Sequence, residues 1–344
     1  MRISLSFVRQ WLGTRYRLGL GWASARVQAA ALESLSRRSK LLHGLDLGRD
    51  FGAEIGPLDK PLVTKREGHI IYIDHCDTDA LRKKWSIDPA IDLSKLHVDA
   101  VWGQQTLQQA VAHYAQINAD AAATGGCDYI LASHVIEHVP DMVSWLKEVD
   151  AALKPDGQLR LAIPDKRFTF DYLRQTTSLA GIINAYVRQD RIPNTHCILD
   201  FMLNMAPVDC AAAWRGEADP SKLQRRATFE GAMDVVKDAL QNGSYHDVHC
   251  WVFTPATFGQ LCVDLAQNGL LDFECAEFFD TAYNEYEFIV SMRKCKDMER
   301  AVASWRRMVK ACKAFKAPLA GGLAKQASRQ FPRHMNSTRM PLGS

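Results

Sequence analysis

The sequence has no run of about 18 apolar residues, the length a membrane-spanning helix needs. Its nine cysteines contain no C-x-x-C pair, and no internal repeat interrupts it. The first absence argues against an integral membrane protein. The second argues against a zinc ribbon or a thioredoxin-type redox site. No secretory leader is written at the start, and the cysteine count is odd, so the expectation is reduced thiols in a cytoplasm.

Acids are scarce at both ends. Residues 1–45 carry eight Lys/Arg against Glu33 alone, and residues 293–344 carry thirteen against Asp297 and Glu299. Between them lie 21 basic and 36 acidic residues, so the middle segment carries an acidic excess of 15. Two basic ends on an acidic body suit peripheral contact with an anionic membrane surface more than nucleic-acid binding. At 344 residues, 47% hydrophobic and 24% charged, the chain has the length and composition for a large soluble globular core.

Three regions follow from the pattern. Residues 1–50 read as a basic extension, helical from about Ala23, with Leu32, Leu35, Leu41 and Leu42 available for packing. From residue 51, short apolar runs alternate with helical segments: "FGAEIG", "HIIYID", "LHVDAVW", "CDYILA" and "QLRLAIP" as strands, with "DTDALRKKW", "TLQQAVAHYAQI" and "DMVSWLKEVDAAL" as helices. Asp77 or Thr78 caps the first of these helices and Asp141 the last. Such alternation predicts a parallel sheet with helices on both faces. The rhythm breaks over about 165–246, which reads as a helical insert with a loop-rich centre around "IPNTHCILDFMLNMAPVDCAAAWRGEADP". A helix capped by Thr254, with Pro255 at its first position, then precedes two strands, "LLDFECAEFF" and "NEYEFIVSMRK", expected to pair antiparallel. Residues 293–344 form a basic extension, helical to about Lys316 with a disordered remainder.

Within this frame, His134, Glu137 and His138 spell H-x-x-E-H, the spacing of inverse zincins. In those enzymes both histidines lie on one face of a helix. Here the string follows a strand and meets Pro140, which biases Val139 away from helical geometry. The context therefore argues against a zinc peptidase.

The order of elements, with "AEIGP", "YIDH" and "DYILASHVIEHVPDMVSWLKEVDAALKPDGQLRLAIPD", resembles the class I S-adenosylmethionine-dependent methyltransferases, of the type 11-like kind. The likeness covers about residues 51–292. It implies an α/β, Rossmann-like, seven-stranded, mostly parallel sheet and S-adenosylmethionine as cofactor. It places Glu54, Gly56 and Pro57 in the glycine turn after the first strand, with Glu54 toward the amino group of the cofactor. Asp74 falls on the ribose hydroxyls, His75 and Trp102 beside the adenosine, and Ser133 under the sulfonium. One departure stands out: Leu58 takes the place of the usual second glycine, where a side chain disfavours positive φ and crowds the ligand.

For catalysis the candidates are His134, His138 and His249, histidine being the natural base near neutral pH. Some related O-methyltransferases hold a divalent metal with acidic and histidine positions in this loop. Glu137 and His138 match them, but His134 stands where those enzymes have glutamate, and no metal ligand is assigned. In the insert, Arg167, Arg174, Trp214 and Arg215 suit a phosphate, a carboxylate or a sugar face, and the insert resembles those of bacterial glycan-assembly domains. The expected function is O-methylation of a small-molecule or glycan acceptor. The alternative is an inactive methyltransferase-fold adaptor that binds partners through its basic ends, with Leu58 as its motive. Absence of N/D-P-P-Y/F after the fourth strand argues against a nucleic-acid amino-methylating enzyme.

Overall fold

The computed structural model describes residues 34–312, except 104, 120, 121, 123 and 124. The chain divides into two compact units, Met1–His43 and Gly44–Ser344. In the first, the described part contains one short helix, α1 (Arg37–Leu41), capped by Ser36. The longer helix expected from Ala23, with Leu32, lies outside the described residues.

The second unit is built on a seven-stranded sheet. Its strands are β1 (Gly52–Ile55), β2 (Ile70–Asp74), β3 (Ala100–Val101), β4 (Cys127–Ser133), β5 (Leu153–Pro164), β6 (Phe273–Phe279) and β7 (Glu287–Lys294), in the spatial order 3-2-1-4-5-7-6. All neighbours run parallel except β7, which pairs antiparallel with both β5 and β6. Glu54 sits level with Tyr72 on one side and Leu131 on the other, so the ends of β1, β2 and β4 finish together.

These segments are strands because they are apolar on both faces, as a covered parallel sheet requires. All residues of β2 are buried. Ile71, Ile73, Ile130, Leu159, Leu161 and Val290 join one core with Trp145, Phe258 and Trp305 from the helices. The alternate residues are buried too, but carry polar atoms that find partners: Tyr72 Oη donates to the Val63 carbonyl at 2.9 Å, and Arg160 Nη1 to Ser291 Oγ at 2.8 Å. β3 is shorter than "LHVDAVW" suggests because a side chain replaces the ladder. The Asp99 carboxylate accepts from Tyr72 N at 2.7 Å.

Helix starts follow their capping residues. α2 (Thr78–Trp85) is capped by Asp77, α3 (Leu107–Asn118) by Thr106 and α4 (Met142–Ala152) by Asp141. In the insert, α5 (Leu179–Arg188) and α8 (Phe229–Asn242) fall where helices are expected. The centre expected to be loop-rich instead contains α6 (Thr195–Asn204) and α7 (Cys210–Arg215). Asn194 caps α6, whose residues Cys197, Ile198, Phe201 and Met202 are buried. Asn194 accepts from Cys197 N and so starts a helix inside the stretch expected to be loop. α9 (Pro255–Gln267) carries the Thr254 cap in a reciprocal box with Thr257. The last described helix is α10 (Met298–Ala311), packed on β6 and α9. No helix among the described residues is long and apolar enough to cross a membrane.

Candidate functional site

The strand order reverses between β1 and β4, and a cleft of about 1210 Å³ opens there, at the carboxyl ends of the strands. This is where an open α/β sheet binds ligands, because the backbones diverge and expose their ends. Gly56, Leu58, Asp74, His75, Trp102, His134 and His138 all line it. Glu54, Pro57, Ser133 and His249 are not among its lining residues.

Each wall has a local cause. At the end of β1, Gly56 donates to the Ile73 carbonyl at 2.9 Å with φ at 64°. A Cβ on it would meet only Val135, at 3.9 Å, so the left-handed backbone rather than space calls for glycine. Leu58 also takes a positive φ, 48°, which glycine adopts freely and leucine does not. The loop is held in that shape by Glu54, whose buried carboxylate accepts from Leu62 N at 2.9 Å. Glu54 therefore shapes the glycine turn from beneath.

Asp74 ends β2 and is buried. Its Oδ1 meets the backbone N of His75 at 2.7 Å and the ring Nδ1 of His75 at 2.5 Å. Both contacts fall on one oxygen, and Oδ2 has no hydrogen bond among the described residues. Trp102 follows β3 and is fixed by donating Nε1 to Glu148 Oε2 at 2.8 Å. The same oxygen accepts from Leu107 N at 3.1 Å, so the ring is tied to the start of α3.

After β4, residues 136–138 form a turn, which is why the H-x-x-E-H string does not present its histidines on one helix face. His134 has φ at 55°. Its Nε2 lies 2.8 Å from Glu287 Oε2 and its Nδ1 lies 3.4 Å from Glu137 Oε1. The Glu137 carbonyl accepts from Cys250 N at 2.7 Å and Trp251 N at 3.1 Å. That clamp brings the segment after α8 against the β4 turn, where Asp247 Oδ1 lies 2.8 Å from His138 Nδ1. Burial opposes a charge on His138, but Asp247 and Glu137 outweigh it and raise its pKa. Burial likewise works to raise Asp247, and the His138 contact holds it well below the usual carboxylate range.

His249 sits deeper, with Nδ1 2.6 Å from Asp171 Oδ2. Burial pushes Asp171 up, yet His249 and Arg174 bring it down to about 2. Arg174 does not face the cleft. It is buried, bonded to Asp171, Asp200 and the His249 carbonyl at 2.8 Å each. Arg167 is held by Asp165, Arg215 by Glu217, and Trp214 stacks on Phe168 at 4.1 Å. The insert instead reaches the cleft with Arg188, Gln189 and Arg191 at the end of α5, and the chain adds Tyr245 and Asp247 after α8. Of these, only Asp247 stands near a histidine candidate in sequence, two residues before His249. The others come from the end of α5, where Gln189 turns left-handed at φ 55°, and from the stretch after α8, and no sequence spacing marks them.

Residues 49–206 match a family described as a methyltransferase domain. That match spans β1 to β5 and the cleft they build, and together with this sheet order it agrees with the likeness to class I S-adenosylmethionine-dependent methyltransferases expected from the sequence. Among solved structures, it is similar to a protein of Listeria monocytogenes assigned as an S-adenosylmethionine-dependent methyltransferase, at 14% identity over 78% of this chain and 100% of that one, TM-score 0.36. It is similar also to an S-adenosylmethionine-dependent methyltransferase of Mesorhizobium loti, at 12% identity over 76% and 100%, TM-score 0.34. A Rhodobacter sphaeroides protein assigned as a zinc-dependent alcohol dehydrogenase reaches 0.38 at 12% identity over 75% and 88%, so scores of this size carry no functional argument. No curated protein matches the sequence.

Proposed function

We propose that the chain methylates an oxygen of a small-molecule or glycan acceptor, with S-adenosylmethionine held in the cleft at the ends of β1, β2 and β4. The observation that carries this reading is that Asp74 and His134 line one cleft from the ends of β2 and β4, the strands on either side of β1. The first is a buried carboxylate with Oδ2 uncommitted among the described residues, suited to a pair of ribose hydroxyls through charge-assisted bonds. The second is a base on the far side of β1. His75 and Trp102 border the adenosine, Gly56 lets backbone approach the methionine part, and Pro57, Glu54 and Ser133 shape the loops behind these contacts. When bound, S-adenosylmethionine supplies an electrophilic methyl group on a sulfonium.

The rest falls to the chain's own side chains. Glu287 holds His134 at Nε2, which leaves Nδ1 to take the proton of an acceptor hydroxyl. Arg188 and Arg191 line the acceptor side and suit an anionic or sugar group. Most of the gain comes from positioning two partners in line inside a walled cleft.

Leu58 favours a second reading, an adaptor that has lost the cofactor, because its side chain lines the cleft on a left-handed backbone. Calorimetric titration with S-adenosylmethionine and S-adenosylhomocysteine separates the two. The enzyme reading expects micromolar binding, weakened roughly 10- to 100-fold in Asp74→Ala, the worth of a charged hydrogen bond. Absence of heat at millimolar ligand would leave the adaptor. Release of S-adenosylhomocysteine with hydroxylated acceptors, phenolic and sugar, then tests the oxygen assignment.

A further inference from the structure

Behind the cleft wall formed by His138 lies a group that the methyl-transfer reading leaves without a task. Glu137 is fully buried, and neither carboxylate oxygen has a hydrogen bond among the described residues. A buried carboxylate in that state is unfavourable unless a cation balances it. Its near neighbours are histidine nitrogens: His134 Nδ1 at 3.4 Å and His138 Nε2 at 4.0 Å from Oε1.

We infer that Glu137, His138 and His249 form a binding site for one divalent first-row transition ion, zinc being the representative. One ligand atom from each residue lies within 4.8 Å of the others, a spacing that small side-chain rotations close to metal distances. The rings of His138 and His249 stand nearly perpendicular, 84° apart, with centroids at 4.6 Å. This lets both nitrogens converge on one point.

The outer contacts carry the inference further. Asp247 lies against Nδ1 of His138 at 2.8 Å, and Asp171 against Nδ1 of His249 at 2.6 Å. Asp171 orients the His249 ring by a hydrogen bond from its far side, and Asp247 sets a negative charge against the far side of His138, leaving Nε2 of each to face inward. Metal-binding histidines are held in this way, because a partner on one nitrogen fixes the tautomer and raises the basicity of the other. Arg174 in turn locks Asp171 at 2.8 Å. Two imidazoles and one carboxylate suit zinc, cobalt or iron better than magnesium or calcium, which prefer oxygen. Three protein ligands also leave a coordination position open.

The site stands whether or not the cleft takes a methyl donor, so its test uses metal alone. The full chain, stripped with chelator, is titrated with Zn²⁺ in a calorimeter and with Co²⁺ in a spectrophotometer. The expected result is one equivalent bound at micromolar or tighter affinity, with visible Co²⁺ bands and a raised Tm. Glu137→Gln and His249→Asn should each weaken binding more than about 100-fold and abolish the Tm rise. Asp171→Asn, which touches no ion, should weaken it about 10- to 100-fold. Circular dichroism shows that each variant is folded, and His138→Asn replaces any that is not. No binding below millimolar Zn²⁺ in the wild type, or unchanged binding in a folded Glu137→Gln, overturns the inference. S-adenosylmethionine titrated into the same preparations reports on the methyl-transfer reading separately.

Discussion

His134 and Glu287 are 153 residues apart in sequence and 2.8 Å apart in space, Nε2 to Oε2. The pair spans the sheet from the end of β4 to the first residue of β7 and fixes a ring whose backbone already sits at φ 55°. Removing the base is expected to slow methyl transfer about 100-fold in His134→Ala. Glu287→Gln should slow it about tenfold, since the ring keeps a neighbour but loses the charge that sets its orientation. Affinity for S-adenosylmethionine should stay nearly unchanged in both, as measured by calorimetry beside initial rates. A large loss of affinity would show that the pair builds the cofactor pocket instead.

Leu58→Gly tests the strained turn. A non-glycine residue in the left-handed region costs about 1–2 kcal/mol, and glycine's greater unfolded freedom returns about 0.5–1. The substitution should raise stability by roughly 0.5–1 kcal/mol in denaturant melts, and affinity for S-adenosylmethionine should rise as the cleft widens. A stability loss would mean that the leucine side chain contributes more by packing than its backbone costs.

Trp305 anchors α10. It is fully buried and donates Nε1 to the Phe273 carbonyl of β6 at 2.8 Å. Trp305→Ala should cost about 3–5 kcal/mol, the range for emptying an aromatic core position. The shift of the urea midpoint measures it. A change below about 1 kcal/mol would show that α10 contributes little to folding.

Alkaline titration probes the polar face of the sheet. Burial raises Tyr72 to about 12, helped by the negative charges of Glu54 and Asp99. Because its folded pKa lies above the unfolded value near 10, the native state holds the proton longer. The resulting stability is complete below about pH 10 and lost as pH climbs through 12. Burial raises Tyr129 and Tyr245 as well, so absorbance at the phenolate band should show late-titrating tyrosines, one fewer in Tyr72→Phe. Normal titration of every tyrosine near 10 would contradict this.

Most of the sheet was legible because the strands centre on short apolar runs and the helices around them begin at visible caps: Asp77, Asp141, Thr254. β3 fell short because the Asp99 side chain took over a ladder position, which an apolar count does not register. α6 and α7 were hidden because the stretch is rich in Pro, Asn and Asp, residues that favour loops but also cap helices: Asn194 begins α6 and Asp209 begins α7. In the cleft, Asp74, Trp102 and His134 could be named because each directly follows a strand. Arg188, Arg191 and Tyr245 reach the same cleft from the insert, and no local spacing announces a meeting across so many residues. The Arg174 network with Asp171, Asp200 and His249 was invisible for the same reason: three separated segments make one cluster.

The segment after α8 has one more consequence. Its backbone is fastened at Cys250 and Trp251 to the Glu137 carbonyl, at Val252 to Thr177, and at Phe253 to Lys166. The insert is therefore no detachable module. Transplanting it to another sheet, or exchanging it for a relative's, would carry away Asp171 and Thr177 and leave His249 and Val252 without their neighbours. A change in the insert is therefore also a change in the floor beneath the cleft.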